Sequence, residues 1–169
     1  VGFTQASIDF IVKNASIDTN RIFATGHSSG GIFTYKLAIS TNQFRAIAPT
    51  AGLLLTNLLE LPSNQPPTSI LEVHGSEDTI VPYNGGGRFP AEQFYSVEQT
   101  LDKFAKLNGC DPKSNKVSIG DEVLEWWEFP NCDSDLRTAQ LTISGYGHGF
   151  KDRKPIVARK IIEFFLGFD

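Results

Sequence analysis

The chain has 169 residues, of which 40% are hydrophobic and 20% charged, and its formal net charge is -4 at neutral pH. This balance is typical of globular proteins and excludes disordered and fibrous classes, and the length predicts a single domain over residues 1–169. Because the charge is small and acidic and no basic cluster is present, we expect no nucleic-acid or anionic-membrane partner. The longest apolar stretch, residues 53–61, is far shorter than the roughly 20 residues that a membrane-spanning helix needs.

Hydrophobic periodicity predicts alternating helices and strands. In chain order, the patterns predict a helix over 4–13, a strand over 21–25, a helix that reaches Ser40, strands over 44–49 and 69–73, a helix starting at Phe94, strands over 123–129 and 136–143, and a final helix from Pro155. A polar, proline-rich link over 62–67 separates two of the strands. Strands that alternate with helices predict an α/β fold with a mostly parallel sheet flanked by helices.

The pentapeptide Gly26-His27-Ser28-Ser29-Gly30 directly follows the predicted strand over 21–25. At such a strand-to-helix turn the central serine takes a strained backbone conformation that exposes its hydroxyl, and the glycines on either side of it remove clashes. The motif therefore indicates a hydrolase whose nucleophile is Ser28 and not Ser29. The alternative is an ordinary glycine-rich turn in which a serine caps the next helix.

A serine nucleophile needs a histidine to accept its proton and an acid to orient that histidine. Asp78 follows the predicted strand over 69–73, and His148 follows the last predicted strand. The resulting chain order of serine, aspartate and histidine is that of α/β-hydrolases. Because the carboxyl ends of parallel strands meet at one edge of a sheet, we expect the three side chains to converge there.

The chain contains three histidines, so the base is chosen among them. His148 is preferred because its glycine-rich loop can approach Ser28. We expect His27 to point into the packing of the turn, and His74 to form local hydrogen bonds that hold the loop carrying Asp78. The competing acids, each otherwise a solvated charge on a loop, are Glu77, Asp133 and Asp135.

The two cysteines, Cys110 and Cys132, lack the C-x-x-C spacing of zinc sites, and the histidines lack helical ligand spacing. We therefore expect no metal and no cofactor. The cysteines form either a disulfide, which requires an oxidising compartment, or two buried thiols. The sequence contains no methionine, so we expect it to have been processed, trimmed or cut from a longer chain.

Four stretches of the chain resemble a known family. The sequences ATGHSSGG, AIAPTAG, HGSEDTIVPYNGG and GYGH begin at residues 24, 46, 74 and 145. They resemble the polyhydroxybutyrate depolymerase and feruloyl/acetylxylan esterase group of α/β-hydrolases, and the resemblance extends over nearly the whole chain. It implies that Ser28 is the nucleophile, Asp78 the acid and His148 the base, and that the two cysteines form a disulfide. One departure is Gly149-Phe150, where family members often have Trp-Pro.

In this family four strands, and a loop carrying one oxyanion-hole amide, precede the helix that begins this chain. The resemblance therefore implies a truncated α/β-hydrolase fold, with the backbone amide of Ser29 as the expected oxyanion donor. The strand before Ser28 would then be an apolar sheet edge, which invites a second copy of the chain or a complementing fragment. Together with a disulfide, the resemblance indicates a secreted or periplasmic protein.

The predicted function is a serine esterase that forms an acyl-enzyme. Short-chain acyl, acetyl, feruloyl or hydroxyalkanoate esters, free or linked to a polymer, are the expected substrates. The alternative is an impaired hydrolase scaffold that acts as a binding or interaction protein.

Several further side chains are expected near the substrate. The predicted contacts are His27, Tyr83 and Trp127. Trp126 and Trp127 face opposite sides of their strand, so we expect one of them in the core and the other on a cleft or carbohydrate-stacking surface. The leucines of the 53–59 segment either line an acyl pocket or belong to the core; they are Leu53, Leu54, Leu55, Leu58 and Leu59. The glycine run 85–87 is predicted to be a mobile loop or a plain flexible turn.

Overall fold

The computed structural model describes residues 1–56, 65–87, 93–112, 115–118 and 123–168. In this part of the chain six strands form one sheet. The strands are β1 (Phe23–His27), β2 (Ala46–Thr50), β3 (Ser69–Gly75), β4 (Asn115–Ser118), β5 (Leu124–Glu128) and β6 (Thr138–Ile143). The helices are α1 (Gly2–Asn14), α2 (Ser29–Ser40), α3 (Val97–Leu107) and α4 (Lys154–Leu166), and a short 3-10 helix (Lys151–Arg153) precedes α4.

The sheet has the order β1-β2-β3-β6-β5-β4. β1, β2, β3 and β6 are parallel, whereas β5 is antiparallel to β6 and β4 is antiparallel to β5. The predicted α/β fold with a mostly parallel sheet is therefore confirmed. Within the described residues β1 pairs only with β2, so it lies at one edge of the described sheet.

The two faces of the sheet carry two apolar clusters. Successive residues of a strand point to opposite faces, so Ile70 belongs to the cluster with α2 and α3, and Leu71 to the cluster with α4. The first cluster contains Tyr35 and Phe104, and its members from α2 and α3 are almost fully buried. These helices fix the positions of the loops between them and the strands.

Two helices differ from the predictions in an informative way. α1 forms where its periodicity predicts it, yet none of its residues is buried, and Ile11 remains 48% exposed. α3 begins at Val97 and not at Phe94, because Ser96 caps it: the Ser96 hydroxyl accepts the amide of Gln99, and the Gln99 side chain accepts the amide of Ser96. Phe94 instead pairs with Gly86 through two backbone hydrogen bonds.

Some predictions fall on parts of the chain that are not described. Leu58, Leu59 and residues 62–64 of the proline-rich link lie outside the described residues. Among the helices that are described, none combines the length and the apolar character needed to cross a membrane.

Candidate active site

Ser28 lies at the turn between β1 and α2, with backbone angles φ 58° and ψ -120°. A positive φ is strained for a residue with a side chain, and such strain persists only where the surroundings hold it. Here the Ser28 amide donates to the carbonyl of Thr50 at 2.9 Å, and the Ser28 carbonyl accepts the amide of Ile32 at 3.0 Å. The predicted strand-to-helix turn is present, and it leaves the serine half-buried.

The glycine requirement of this turn differs from the prediction at one position. A Cβ on Gly26 would lie 2.5 Å from the carbonyl oxygen of Gly30, so only glycine fits at position 26. A Cβ on Gly30 would meet nothing within 4 Å, so the expectation that Gly30 relieves a clash is wrong. The close approach on the helix side lies at Gly31, whose Cβ would be 2.9 Å from the carbonyl oxygen of Thr50.

Three loops bring Ser28, Asp78 and His148 together. The Nε2 atom of His148 lies 2.8 Å from the Oγ atom of Ser28, and its Nδ1 atom lies 2.8 Å from Oδ2 of Asp78. Asp78 follows β3 and His148 follows β6, the strand that pairs with β3 in parallel. The carboxyl ends of these strands therefore meet at the edge where α2 begins, as the chain order predicts.

The surroundings of Asp78 favour its ionised form. Its Oδ1 atom accepts the amides of Ile80 at 2.8 Å and Val81 at 3.0 Å. Burial alone would raise the pKa of Asp78, but hydrogen bonds from His74, His148 and the two amides outweigh it and lower the pKa to about 2. A carboxylate facing Nδ1 requires that nitrogen to carry the hydrogen, which leaves Nε2 of His148 free to accept the proton of Ser28.

His27 lies on the surface beside the site. The expectation that it points into the packing of the turn is wrong, since its side chain is exposed. Its ring centroid lies 5.1 Å from that of His148 and 5.5 Å from that of Phe150, and its Nδ1 atom lies 3.2 Å from the Thr50 hydroxyl. Burial and the nearby charge of His148 lower the pKa of His27. The lowered pKa favours an uncharged His27 ring beside Ser28 and His148.

His74 lies beneath Asp78 and is fully buried. Its Nε2 atom lies 2.9 Å from the carbonyl oxygen of Val81 and 3.3 Å from Oδ2 of Asp78. These contacts agree with the expectation that His74 holds the loop carrying Asp78. Sequence reasoning missed its partner, Glu72, whose available signal was a carboxylate in an otherwise apolar buried strand.

The other two predicted substrate contacts, Tyr83 and Trp127, contact residues of the sheet and the loop after β3. The ring of Tyr83 packs edge-on against His74 with centroids 6.0 Å apart, and its hydroxyl contacts Thr142 and Gln140. Trp127 pairs with Gln140, three positions before the end of β6, and is half-buried. Trp126 is the tryptophan of the pair that belongs to the core, next to Phe164.

The structure gives each competing acid surroundings that differ from those of Asp78. The carboxylate of Asp135 is paired with Arg45, Asp133 lies against Gly109, and Glu77 is exposed. Leu53 and Leu54 are fully buried in the core, which excludes the acyl-pocket alternative for these two side chains. Within the described residues, no group of three His, Cys, Asp or Glu side chains has an arrangement that could hold a metal ion.

Cys110 and Cys132 form a disulfide, which resolves the alternative between a disulfide and two thiols. The Cys110 sulfur lies 3.4 Å from the hydroxyl of Thr138, the first residue of β6. The disulfide therefore lies at the end of β6 opposite to His148.

The amino end of α2 lies directly at Ser28. Ser29 is the first residue of this helix, where backbone amides have no carbonyl partner within the helix and the helix dipole is positive. The Ser29 amide is thus suited to an oxygen that develops negative charge next to Ser28.

Comparison with known families gives a match over most of the chain. The model of a family described as Phospholipase/Carboxylesterase matches residues 4–123. That span includes Ser28 and Asp78 and ends before His148. A solved structure, a variant of SOBER1 from Arabidopsis thaliana, superimposes with a TM-score of 0.53 over 98% of this chain and 62% of that chain, at 15% identity. The likeness to that structure concerns the fold alone.

Curated relatives include two esterases. Feruloyl esterase B of Piromyces equi is 31% identical over 163 residues, which cover 91% of this chain and 30% of the relative. A bifunctional acetylxylan esterase/xylanase of Neocallimastix patriciarum is 29% identical over 142 residues, which cover 83% of this chain and 20% of the relative. The chain thus spans less than a third of the length of these two curated relatives. The predicted resemblance to feruloyl and acetylxylan esterases is confirmed.

Proposed function

The chain belongs to the phospholipase/carboxylesterase family of α/β-hydrolases, and from this premise we propose that it is a serine esterase that hydrolyses carboxylic esters through an acyl-enzyme. The observation that carries the proposal is the continuous chain of hydrogen-bonding contacts from Ser28 through His148 to Asp78, with both heavy-atom distances at 2.8 Å. A serine, a histidine and an acid in this arrangement activate the serine for nucleophilic attack.

In the first half of the reaction, the Oγ atom of Ser28 attacks the ester carbonyl carbon while Nε2 of His148 takes the hydroxyl proton. The resulting imidazolium keeps its Nδ1 hydrogen on the carboxylate of Asp78, which stabilises the positive charge. The tetrahedral intermediate then collapses, and the proton on Nε2 passes to the departing alkoxide, which leaves as the alcohol. The acyl group remains on Ser28.

In the second half, water attacks the acyl carbon and gives its proton to Nε2 of His148. Collapse of the second tetrahedral intermediate returns that proton to Ser28 and releases the carboxylic acid. The amide of Ser29, at the positive end of α2, would donate to the oxyanion in both intermediates. An oxyanion donor of this kind contributes about 100- to 1,000-fold to turnover.

The names of the curated relatives suggest the substrate class. A feruloyl esterase and an acetylxylan esterase act on esters whose acyl group is aromatic or short. We therefore propose an acetyl, feruloyl or similarly small acyl ester, free or linked to a polymer. The exposed ring of His27 lies against His148 and would contact the bound ester. The Cys110–Cys132 disulfide supports a secreted or periplasmic location.

Ester hydrolysis by the Ser28→Ala variant tests the proposal. With p-nitrophenyl acetate and methyl ferulate as substrates, we expect kcat to fall at least about 1,000-fold because the nucleophile is lost. A fluorophosphonate probe should label the wild type and not this variant. Ser40→Ala, the same change at the far end of α2, is the matched control and should keep both activity and labelling. Undiminished hydrolysis by Ser28→Ala would contradict the proposed mechanism.

A further inference from the structure

A second carboxylate and imidazole lie buried behind the catalytic acid. Glu72 and His74 are two positions apart on β3, so they share one face of the sheet, and both side chains are fully buried. Nδ1 of His74 lies 2.9 Å from Oε1 of Glu72. The hydroxyl of Tyr35, from α2, donates to the other oxygen of Glu72. The contacts therefore form a continuous path from Tyr35 through Glu72 and His74 to Asp78.

The distances determine where the hydrogens of His74 lie. Two acceptors cannot face each other at 2.9 Å, so one proton must lie between Nδ1 of His74 and Oε1 of Glu72. Nε2 of His74 faces the carbonyl of Val81 at 2.9 Å and the carboxylate of Asp78 at 3.3 Å, and both are acceptors. Nε2 therefore carries a hydrogen as well, and His74 is a donor at both nitrogens whenever the shared proton lies on Nδ1.

The surroundings favour that ionic form, with a glutamate and an imidazolium. The hydroxyl of Tyr35 donates to Glu72, which stabilises the carboxylate, and Asp78 on the other side attracts a positive imidazole. Burial alone would lower the pKa of His74, but the hydrogen bonds to Asp78 and Glu72 outweigh it and raise the pKa to about 9. Burial raises the pKa of Glu72 to about 7 against the opposing effect of His74. The upward shift at His74 keeps the imidazole protonated at neutral pH, whereas the shift at Glu72 reflects the cost of burying its carboxylate, which the hydrogen bonds from His74 and Tyr35 offset in part.

We propose that Glu72 and His74 act as an ion pair of positioning residues, in which His74 donates to Asp78 and to Val81 and so fixes the carboxylate that orients His148. The inference rests on the proposed function, because the position of Asp78 affects turnover only if Ser28, His148 and Asp78 act together. His74 also shares the negative charge of Asp78 with His148. Loss of this cation would therefore leave the Asp78 carboxylate to interact with His148 alone.

The groups that face His74 come from several elements. Glu72 lies on the same strand, and Tyr35 of α2 acts through Glu72. Asp78 and the ring of Tyr83 face it from the loop after β3. Among the described residues, His148 lies beyond Asp78, and His27 at the end of β1 feels the charges of both His74 and Lys154.

The Glu72→Gln variant separates the charge of the pair from its shape. The amide keeps the size of the side chain, can donate to Nδ1 of His74 and can accept from Tyr35. His74 then becomes neutral with its hydrogen on Nε2, so the cation next to Asp78 is lost. The variant removes a positive charge near His148 and a negative charge farther from it. We therefore expect the acid limb of the plot of kcat/KM against pH to move to higher pH by about 0.5 unit. A merely structural role would lower kcat without moving this limb.

Two variants of His74 test the donated hydrogen bond. His74→Phe removes the donor, and we expect kcat to fall by about 10- to 100-fold with little change in KM, because the Oδ2 atom of Asp78 loses the donor that fixes it beside His148. In His74→Gln, the side-chain amide can donate to Asp78 or Val81 from nearly the same position as Nε2. This conservative variant should therefore recover most of the lost kcat.

Glu128→Gln is the matched control, since Glu128 pairs with Arg137 at the opposite end of β6. It should leave kcat and the acid limb unchanged. If Glu72→Gln does not fold, Tyr35→Phe, which removes only the hydroxyl that stabilises the Glu72 carboxylate, should give a smaller upward shift. The inference would be overturned if two results occurred together. The acid limb would be unmoved in Glu72→Gln, or in Tyr35→Phe where Glu72→Gln does not fold, and His74→Phe would keep the wild-type kcat. Activity retained by Ser28→Ala would instead overturn the proposed function, so the two failures are distinguishable.

Discussion

A Cβ atom on Gly75 would lie 2.2 Å from the carbonyl oxygen of Tyr146. Gly75 ends β3 and Tyr146 follows β6, so the loop that carries Asp78 and the loop that carries His148 touch backbone to backbone at this point. The amide of Glu77 also donates to the carbonyl of Tyr146 at 2.9 Å. The contact between these two loops determines the spacing of Asp78 and His148.

We therefore expect Gly75→Ala to separate the two loops. The added methyl group should lower kcat on p-nitrophenyl acetate about 100-fold, because His148 moves relative to Ser28 and Asp78. It should also destabilise the fold by about 1–3 kcal/mol, measured by urea unfolding. Gly149→Ala is the matched control for stability, since a Cβ there meets nothing within 4 Å. Wild-type kcat in Gly75→Ala would contradict this account of the loop contact.

The glycines around Ser28 give a second prediction with opposite outcomes at two positions. Gly26→Ala should destabilise the protein by about 1–3 kcal/mol or prevent folding, because its methyl group meets the backbone of Gly30. Gly30→Ala should be tolerated and can stabilise α2 by about 0.5–1 kcal/mol, since alanine favours a helix more than glycine does. Urea unfolding of both variants measures the difference. Equal destabilisation at the two positions would show that the packing of this turn is different.

The convergence of Ser28, Asp78 and His148 was predictable from their order along the chain. Each follows a strand, and parallel strands place their carboxyl ends at one edge of the sheet. The role of His74 in holding the loop of Asp78 was also predicted, but its partners Glu72 and Tyr35 were less accessible to sequence reasoning. Tyr35 lies 37 positions from Glu72, and no local pattern links a helical tyrosine to a carboxylate on a distant strand.

Two details of the fold were not predicted correctly, and both have local reasons. No strand was predicted over β4. β4 has the sequence NKVS and contains too few apolar residues to show the alternation of a strand. The beginning of α3 was predicted at Phe94 because its apolar spacing continues that of the helix, whereas the capping interactions of Ser96 start the helix later. Periodicity therefore located α3, while its first residue depended on side-chain hydrogen bonds.

The lowered pKa of Asp78 predicts how the free energy of unfolding depends on pH. Its value falls from 3.8 to about 2 on folding, so ionised Asp78 stabilises the fold by about 2 kcal/mol at neutral pH. This stabilisation is complete at pH values above the pKa of Asp78 in the unfolded chain. It is lost as the pH falls through the pKa of Asp78 in the folded protein. About 1 kcal/mol of it should disappear between about pH 5 and about pH 3. Urea unfolding at the two pH values measures this loss in the wild type and in Asp78→Asn. The variant should lose about 1 kcal/mol less than the wild type. An equal loss in both proteins would contradict the assigned pKa shift.

The disulfide provides the final prediction, because it separates stability from activity. Cys110 and Cys132 are 22 positions apart in the sequence, and closing a loop of this length stabilises a fold by roughly 3 kcal/mol in the chain-entropy model. The double variant Cys110→Ser/Cys132→Ser should lose about this much in urea unfolding. Its kcat, measured well below the unfolding temperature, should stay near the wild-type value, because the bridge lies at the end of β6 opposite to His148. A large fall in kcat in the folded double variant would show that the two ends of β6 are coupled.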